Sequence, residues 1–264
     1  MIVIAHLSDI HIDGGHRSVE RTRTVMDYLE DLPYDLDAVL VTGDIADHAL
    51  PAEYEQARRL LTSRHPVVIC PGNHDARPAF RQFLLGQPES ATPINQVHHA
   101  DELVIALCDS SVSGSDEGFL DDETLVWLED VLAQAPAKMP VLVGFHHPPT
   151  LLHVPYIDGI RQFGAERLAA LTGRHPNLAA FLCGHAHTPA ATTFAGRPLL
   201  VAPGVVSTLR LPWERRAHAE DHVHLDQPPA LAFHILDSKG GGLTTHYRCV
   251  NPQSWANRRQ PRRT

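Results

Sequence analysis

The sequence predicts an α/β fold built from two mixed β-sheets packed face to face, with helices on the outside. Three features lead there. Short aliphatic and β-branched runs at 2–7, 38–42, 67–70, 102–109, 141–145 and 179–183 are bounded by Gly, Pro and polar residues, the pattern of buried strands. Between successive runs lie stretches with helical apolar spacing, and strand–helix alternation marks βαβ units around a buried sheet. Beyond residue 187 the texture changes to short strands joined by turns, with little helix. That change predicts a second, mostly antiparallel sheet.

After the first run, a polar loop at 12–16 with Gly14 and Gly15 leads to an amphipathic helix at 17–32. Val19, Val25, Met26 and Leu29 share one side of it, and Pro33 ends it. Pro51 suits the start of a helix at 52–63, where its missing N–H is not needed. A helix at 76–85 and a loop at 86–96 precede the strand at 102–109. Leu125, Leu128 and Leu132 form the face of a helix at 120–133, with Asp121 or Asp122 able to cap it. A long loop at 147–162 and a helix at 164–172 lead to the run at 179–183. Strands follow at 191–195, 199–202, 230–236 and 243–249, with hairpin turns at Gly196-Arg197-Pro198 and Lys239-Gly240-Gly241-Gly242. Residues 1–256 read as one domain, the part from about 205 to 256 being the candidate cap or dimer surface. The tail 257–264, with Arg258, Arg259, Arg262 and Arg263, reads as a disordered, solvated end.

A chain of 264 residues is long enough for one large α/β domain with a generous core. A formal net charge of −9 argues against a long nucleic-acid ligand, whose phosphates need a basic face. Cys70, Cys108, Cys183 and Cys249 fit no zinc-ribbon or CxxC spacing, and three of them end apolar runs as small buried hydrophobes. A strand starting at Ile2 leaves no room for a signal peptide, and no apolar stretch approaches the ~18 residues of a membrane span. The expected location is the reducing cytoplasm.

Histidine is the compositional outlier, with 19 residues, and several stand where strands end. The runs lead into Asp9-Ile10-His11, Gly43-Asp44, Pro71-Gly72-Asn73-His74-Asp75, His146-His147-Pro148-Pro149 and Gly184-His185-Ala186-His187. Functional groups of α/β sheets sit at the carboxyl ends of strands, so these side chains converge on one edge. Asp9 and His11, like His185 and His187, are two residues apart, and an extended backbone points both members of each pair to one face. Asp44 follows a Gly that permits a sharp turn, and its two oxygens can bridge two cations. Asn73 adds a neutral carbonyl oxygen and His146 another nitrogen. Such donors suit divalent transition metals. They are too many for one ion, which predicts a two-metal hydrolytic centre. Turn chemistry accounts for Asp, Asn and Gly at these places but not for His at His11, His146, His185 and His187.

DxH, GD, GNHD, HHPP and GHxH, in this order over about residues 1–205, resemble the calcineurin-like metallophosphoesterases, whose fold is an αββα sandwich. Gly118-Phe119-Leu120 ahead of Asp122-Glu123-Thr124, together with Phe145-His146-His147-Pro148-Pro149, is similar to the bacterial class III cyclic-nucleotide phosphodiesterase and glycerophosphodiesterase branch. The resemblance implies one ion held by Asp9, His11, Asp44 and His187, and a second held by Asp44, Asn73, His146 and His185, with Asp44 as the bridge. His74 would face the substrate, donating to a phosphoryl oxygen or protonating the leaving alkoxide. Asp75 would orient His74 through its other ring nitrogen. The implied reaction is in-line attack on phosphorus by a hydroxide shared between the ions, with no protein nucleophile. Iron, manganese, zinc and cobalt all suit the mixed donors.

The expected activity is hydrolysis of a small phosphodiester, a 3′,5′-cyclic nucleotide such as cAMP or a glycerophosphodiester. A phosphomonoesterase or dinucleotide polyphosphate hydrolase is the alternative, and a non-catalytic scaffold a remote one. No exposed apolar or basic amphipathic segment suggests a lipid-headgroup substrate or a membrane. A homodimer or higher homo-oligomer is compatible with the chain beyond Ala202. His6, inside a strand, reads as a packed core histidine, and His147 as a neighbour of the ligands rather than one of them. The segment 213–226, with His218, Asp221, His222, His224 and Asp226, reads as a solvated loop, with a lid, a dimer contact or an extra metal site as the other readings. His153, Tyr156, Asp158 and Arg161 are either pocket residues or ordinary loop residues.

Overall fold

A computed structural model describes residues 1–214, 222–237 and 242–251. The chain begins with β1 (Ile2–Leu7), α1 (His16–Glu30), β2 (Ala38–Thr42), α2 (Pro51–Leu60) and β3 (Val67–Cys70). A short α3 (Arg77–Ala79) runs into a π-helical stretch (Phe80–Leu85), then β4 (Gln96–Ala100), β5 (Leu103–Leu107), β6 (Gly118–Phe119) and α4 (Asp122–Gln134). Next come β7 (Val141–Gly144), α5 (Pro155–Gly159), β8 (Gln162–Phe163), α6 (Ala165–Arg174) and β9 (Leu178–Cys183). The remaining strands are β10 (Ala190–Phe194), β11 (Arg197–Val201), β12 (Thr208–Leu209), β13 (Val223–His224), β14 (Ala230–Leu236) and β15 (Leu243–Cys249).

Two main sheets form, ordered β15-β14-β1-β2-β3 and β10-β11-β9-β7-β5-β4. Period-two alternation sorts their side chains into layers. Ile2 and Ile4 of β1, Ala38 and Leu40 of β2, and Leu103, Ile105 and Leu107 of β5 fill the space between the sheets. Ala5, Leu7, Val39 and Val41 face outward onto Val25, Met26 and Leu29 of α1 and Tyr54 of α2. Val104, Ala106 and Val143 face the other way, onto Leu128 and Leu132 of α4 and Leu168 and Leu171 of α6. Strands covered on both faces explain why the sequence shows near-continuous apolar runs rather than alternation.

The two face-to-face mixed sheets agree with the sequence reading, but the mostly antiparallel strand direction expected of the second does not hold. That sheet is mostly parallel: β11, β9, β7 and β5 run together, with antiparallel β10 and β4 at its edges. α4 and α6 carry the chain across from β5 to β7 and from β7 to β9, and helical crossovers join parallel neighbours. The antiparallel texture after residue 187 is instead divided between sheets, because β14 and β15 pair back onto β1. Within the described part of 205–256, β14 and β15 belong to the first sheet, while β12 and β13 pair only with each other, outside both main sheets. Strand β4 falls at the end of the expected loop. Its half-buried, polar Gln96–Ala100 gives no apolar signal. The first hairpin turns at Ala195 (φ 48°) and Gly196 (φ 74°), the left-handed pair of a two-residue turn. Asp121 caps α4, accepting from the Thr124 N–H at 2.8 Å. Lys239, Gly240 and Gly241, His218 and Asp221, and the tail 257–264 lie outside the described residues. Among the described residues no helix is long and apolar enough to cross a membrane.

Candidate metal centre

The carboxyl ends of β1, β2, β3, β7 and β9 meet along one edge shared by both sheets. Backbone bonds stitch the edge together: Gly184 N donates to His146 O at 3.0 Å, and Val205 N to Ser8 O at 3.0 Å. As each strand ends, the chain turns through a left-handed residue. Asp9 (φ 54°), His11 (42°), Asp44 (52°), His185 (68°) and His187 (52°) all have positive φ. Only three other non-glycine residues do so among the described ones. Each such residue costs about 1 kcal/mol or more, so this strain is concentrated on the side chains that the sequence singles out. The extended pairing expected for Asp9 with His11 and for His185 with His187 is thus replaced by tight turns.

The turns aim the donors at two points. Around one, His11 Nε2 lies 3.3 Å from His187 Nε2 and 3.4 Å from Asp44 Oδ2, and His187 Nε2 lies 3.4 Å from Asp9 Oδ1. Around the other, His146 Nε2 lies 3.1 Å from Asn73 Oδ1, 3.2 Å from His185 Nδ1 and 3.3 Å from Asp44 Oδ2. The same oxygen, Asp44 Oδ2, belongs to both groups. Donors each about 2.0–2.1 Å from a shared ion sit about 2.9–3.4 Å apart, so the spacing fits a cation in each group. Buried Asp9 Oδ1 has no hydrogen-bond partner, as expected of an oxygen reserved for a metal.

Partners behind the rings fix which nitrogen faces inward. His146 Nδ1 donates to the Thr42 carbonyl at 2.7 Å and His11 Nδ1 to Asp47 Oδ1 at 2.8 Å. His187 Nδ1 pairs with Ser207 Oγ at 2.8 Å. The first two partners only accept, so in the neutral rings both Nε2 atoms present lone pairs to the centre. Sequence reasoning missed Asp47, Ser207 and the Thr42 carbonyl. Asp47 left a trace, a carboxylate three residues beyond Asp44, whereas nothing near Ser207 in sequence points to His187.

Residues 2–189 match the calcineurin-like phosphoesterase family. The chain belongs to that family. It is 32% identical over 246 residues to the glycerophosphodiester phosphodiesterase GpdQ of Enterobacter lignolyticus, covering 88% of this chain and 86% of that protein. It is 32% identical over 221 residues to a cAMP/cGMP dual specificity phosphodiesterase of Mycobacterium tuberculosis, covering 78% of this chain and 68% of that one. A solved structure, a dimetal phosphatase from Danio rerio, shares the fold with a TM-score of 0.65 over 95% of this chain and 99% of that one, at 14% identity. Calcineurin-like phosphoesterases use a dinuclear metal centre, and the clustered His and Asp donors could hold metal ions.

Charge in this phosphoesterase's centre is tightly linked. Burial opposes protonation of His11, but Asp47, Asp44 and Asp9 outweigh it and raise the ring to about 8. Burial likewise opposes protonation of His146, and Asp44 foremost raises it to about 9. Burial would raise Asp44, yet His146 and His11 hold it ionised, well below the usual carboxylate range. Burial pushes His185 and His187 down. Without cations, then, the two most acid-flanked rings hold protons in their place.

His74 stands beside the donors and half exposed. Its ring meets His11 edge-on with centroids 4.6 Å apart, and its backbone N–H donates to Asp44 Oδ1 at 3.0 Å. Asp75 does not orient it. The Asp75 carboxylate turns away and accepts from the N–H groups of Gly72 (2.9 Å), Ile45 (3.1 Å) and Ala46 (3.1 Å), locking the loop after β3 onto the loop after β2. His74 Nδ1 donates instead to the Asp47 carbonyl at 2.9 Å. Successive side chains of a tight turn point apart, so adjacency in sequence misleads here. His147 is buried behind the centre, Nδ1 within 2.8 Å of Ser110 Oγ. His6 is a core histidine, bonded to His234 Nε2 at 3.0 Å and Thr42 Oγ1 at 2.8 Å. Farther out, Asp158 accepts from Leu152 N at 2.7 Å, Arg161 stacks on Phe163, and Tyr156 stacks on His222.

Proposed function

We propose that this phosphoesterase hydrolyses small phosphodiesters, 3′,5′-cyclic nucleotides or glycerophosphodiesters, at a two-metal centre. The observation that carries the reading is the single oxygen, Asp44 Oδ2, shared by two donor groups at 3.3 and 3.4 Å from His146 and His11. The relatives named for cAMP/cGMP and for glycerophosphodiesters support the substrate class. Asp9, His11, Asp44 and His187 would hold one ion, and Asp44, Asn73, His146 and His185 the other. When bound, the pair supplies Lewis acidity at the phosphate and a nucleophilic water near neutral pH. Because both sheets feed this one centre, residues 1–256 act as one catalytic unit in this reading.

The chain's own residues do the rest. Asp44 fixes the two donor groups relative to each other, and its Oδ1 is held by the His74 N–H. The Asp75 carboxylate keeps the loops carrying Asn73 and Asp44 in register through three backbone bonds. With His74 Nδ1 committed to the Asp47 carbonyl, Nε2 is the ring nitrogen left for substrate. As the imidazolium, with Asp47 Oδ1 3.6 Å from Nδ1 as counter-charge, the ring donates from there to a phosphoryl oxygen or hands that proton to the departing alkoxide. The test is turnover by metal-stripped protein with manganese restored. A cyclic nucleotide or glycerophosphodiester should be cleaved faster than the matching monoester, and a faster monoester rate would make the protein a phosphatase.

A further inference from the structure

The three oxygens of Asp47 are each engaged by a different histidine. Oδ1 accepts from His11 Nδ1 at 2.8 Å, the backbone carbonyl accepts from His74 Nδ1 at 2.9 Å, and Oδ2 lies 3.3 Å from His48 Nε2. The first two rings belong to the centre described above. His48 belongs to neither donor group, and its side chain is 59% exposed on the loop between β2 and α2.

The exposed ring is nevertheless anchored. His48 Nδ1 lies 2.8 Å from Glu53 Oε1, while Glu53 Oε2 accepts from the His48 and Leu50 N–H groups at 2.9 and 3.1 Å. Glu53 is buried in the first turn of α2, where a carboxylate needs such partners. Carboxylate oxygens thus face both nitrogens of His48. They only accept, so the two contacts together require a ring with both N–H groups, the imidazolium. The charged groups facing it are Glu53 on α2, Asp47 on its own loop and Asp13 on the loop before α1. Glu53 foremost, then Asp47 and Asp13, raises the ring's pKa above the ordinary histidine value.

The last torsion of an aspartate side chain is soft, so the direction of Oδ1 depends on what holds Oδ2. Resting on the two-metal reading above, we infer that His48, anchored by Glu53, is a positioning residue of the centre: it fixes the Asp47 carboxylate that turns His11 Nε2 toward its ion. An exposed ion pair contributes little to folding, so the brace shows in ligand geometry rather than in the fold.

Manganese affinity would be measured by competitive chelator titration for wild type, His48→Ala and His48→Arg, at about pH 6.5 and about pH 9. Arginine can donate to both carboxylates and stays charged throughout. At the lower pH, His48→Ala should weaken one of the two ions by about threefold or more, and His48→Arg should match wild type. At the higher pH the wild-type ring is neutral and the brace opens. Wild type should then approach His48→Ala, and His48→Arg should exceed both by about threefold or more. Protonation of His11 and His146 acts on all three proteins alike and cancels in the ratios. Ratios that do not change with pH, or His48→Ala equal to wild type at the lower pH, overturn the positioning role alone. A wild type that binds a single ion overturns the two-metal reading and the brace with it.

Discussion

A methyl group at Gly72 has nowhere to go. An ideal Cβ built there lies 2.2 Å from Asp44 Oδ1 and 2.5 Å from the Asp44 backbone nitrogen, where real Cβ contacts below 3.0 Å are essentially never seen. Relief therefore requires a shift of about 1 Å, shared by the Asp44 carboxylate and the Asp44 backbone, since Gly72 is pinned by its N–H bond to Asp75 at 2.9 Å. Asp44 Oδ2 sits 3.4 Å from His11 Nε2 and 3.3 Å from His146 Nε2, so one displacement breaks both donor groups. The same movement strains the His74 N–H bond to Asp44 Oδ1. Misplacement of reacting groups by about 1 Å costs on the order of 10²-fold in rate. Gly72→Ala should then fold, with native far-UV circular dichroism, yet bind less than two equivalents of manganese and lose at least 100-fold in kcat/KM on bis(4-nitrophenyl) phosphate. Two tightly bound ions with turnover near wild type would refute the placement of Asp44 as the shared ligand.

Asp47→Ala removes the acceptor behind His11 Nδ1, and losses of about 10–100-fold in metal affinity follow from such outer partners; an unchanged affinity by competitive chelator titration would count against that role. His74→Ala should keep both ions and lose most turnover, and a loss of metal with an intact rate per ion pair would reassign His74 as a ligand. In the metal-free protein His11 titrates at about 8 and His146 at about 9. Protonated rings cannot ligate, so metal affinity should fall as pH drops through this range, with proton release on loading; calorimetry in buffers of different ionisation enthalpy should detect it, and buffer-independent heats would contradict it. These raised pKa values also stabilise the metal-free fold fully below about 6.5, the unfolded-state value, a contribution lost as pH climbs through 8 to 9. His6 and His234 act in the opposite sense: burial depresses both, His234 to about 3. Their contribution is present above about 6.5 and is lost on acidification by about 1.4 kcal/mol per pH unit for each ring. Urea melts of the metal-free protein should show lower stability at pH 5 than at pH 6.5, and equal midpoints would exclude this account of the two rings.

Much of the architecture was legible because both faces of the central strands are covered. β1, β2, β3, β7 and β9 each appear as an apolar run that ends in a donor residue, so the sequence locates both the strands and the edge they share. Which sheet a strand joins was not legible. The hairpin β14–β15 returns across the whole chain to pair with β1, and no local pattern encodes a partner that distant. β4 was hidden by its polar composition. At the centre, residue types and order identified the donors, but the left-handed turns at Asp9, His11, Asp44, His185 and His187 were not foreseen. Those turns explain why Asp75 faces the loop instead of His74, and why Asp47 and Ser207 supply the outer hydrogen bonds. Side-chain direction after a positive-φ residue depends on the three-dimensional path of the loop, which adjacency in sequence does not specify.

The most direct measurement is a manganese titration of metal-stripped protein, with hydrolysis of bis(4-nitrophenyl) phosphate and 4-nitrophenyl phosphate followed side by side. Two donor groups sharing Asp44 require activity that appears with metal and saturates at two equivalents, and the phosphodiesterase reading requires that it favour the diester. Full activity in stripped protein, saturation at one equivalent, or a preference for the monoester would contradict the two-metal phosphodiesterase.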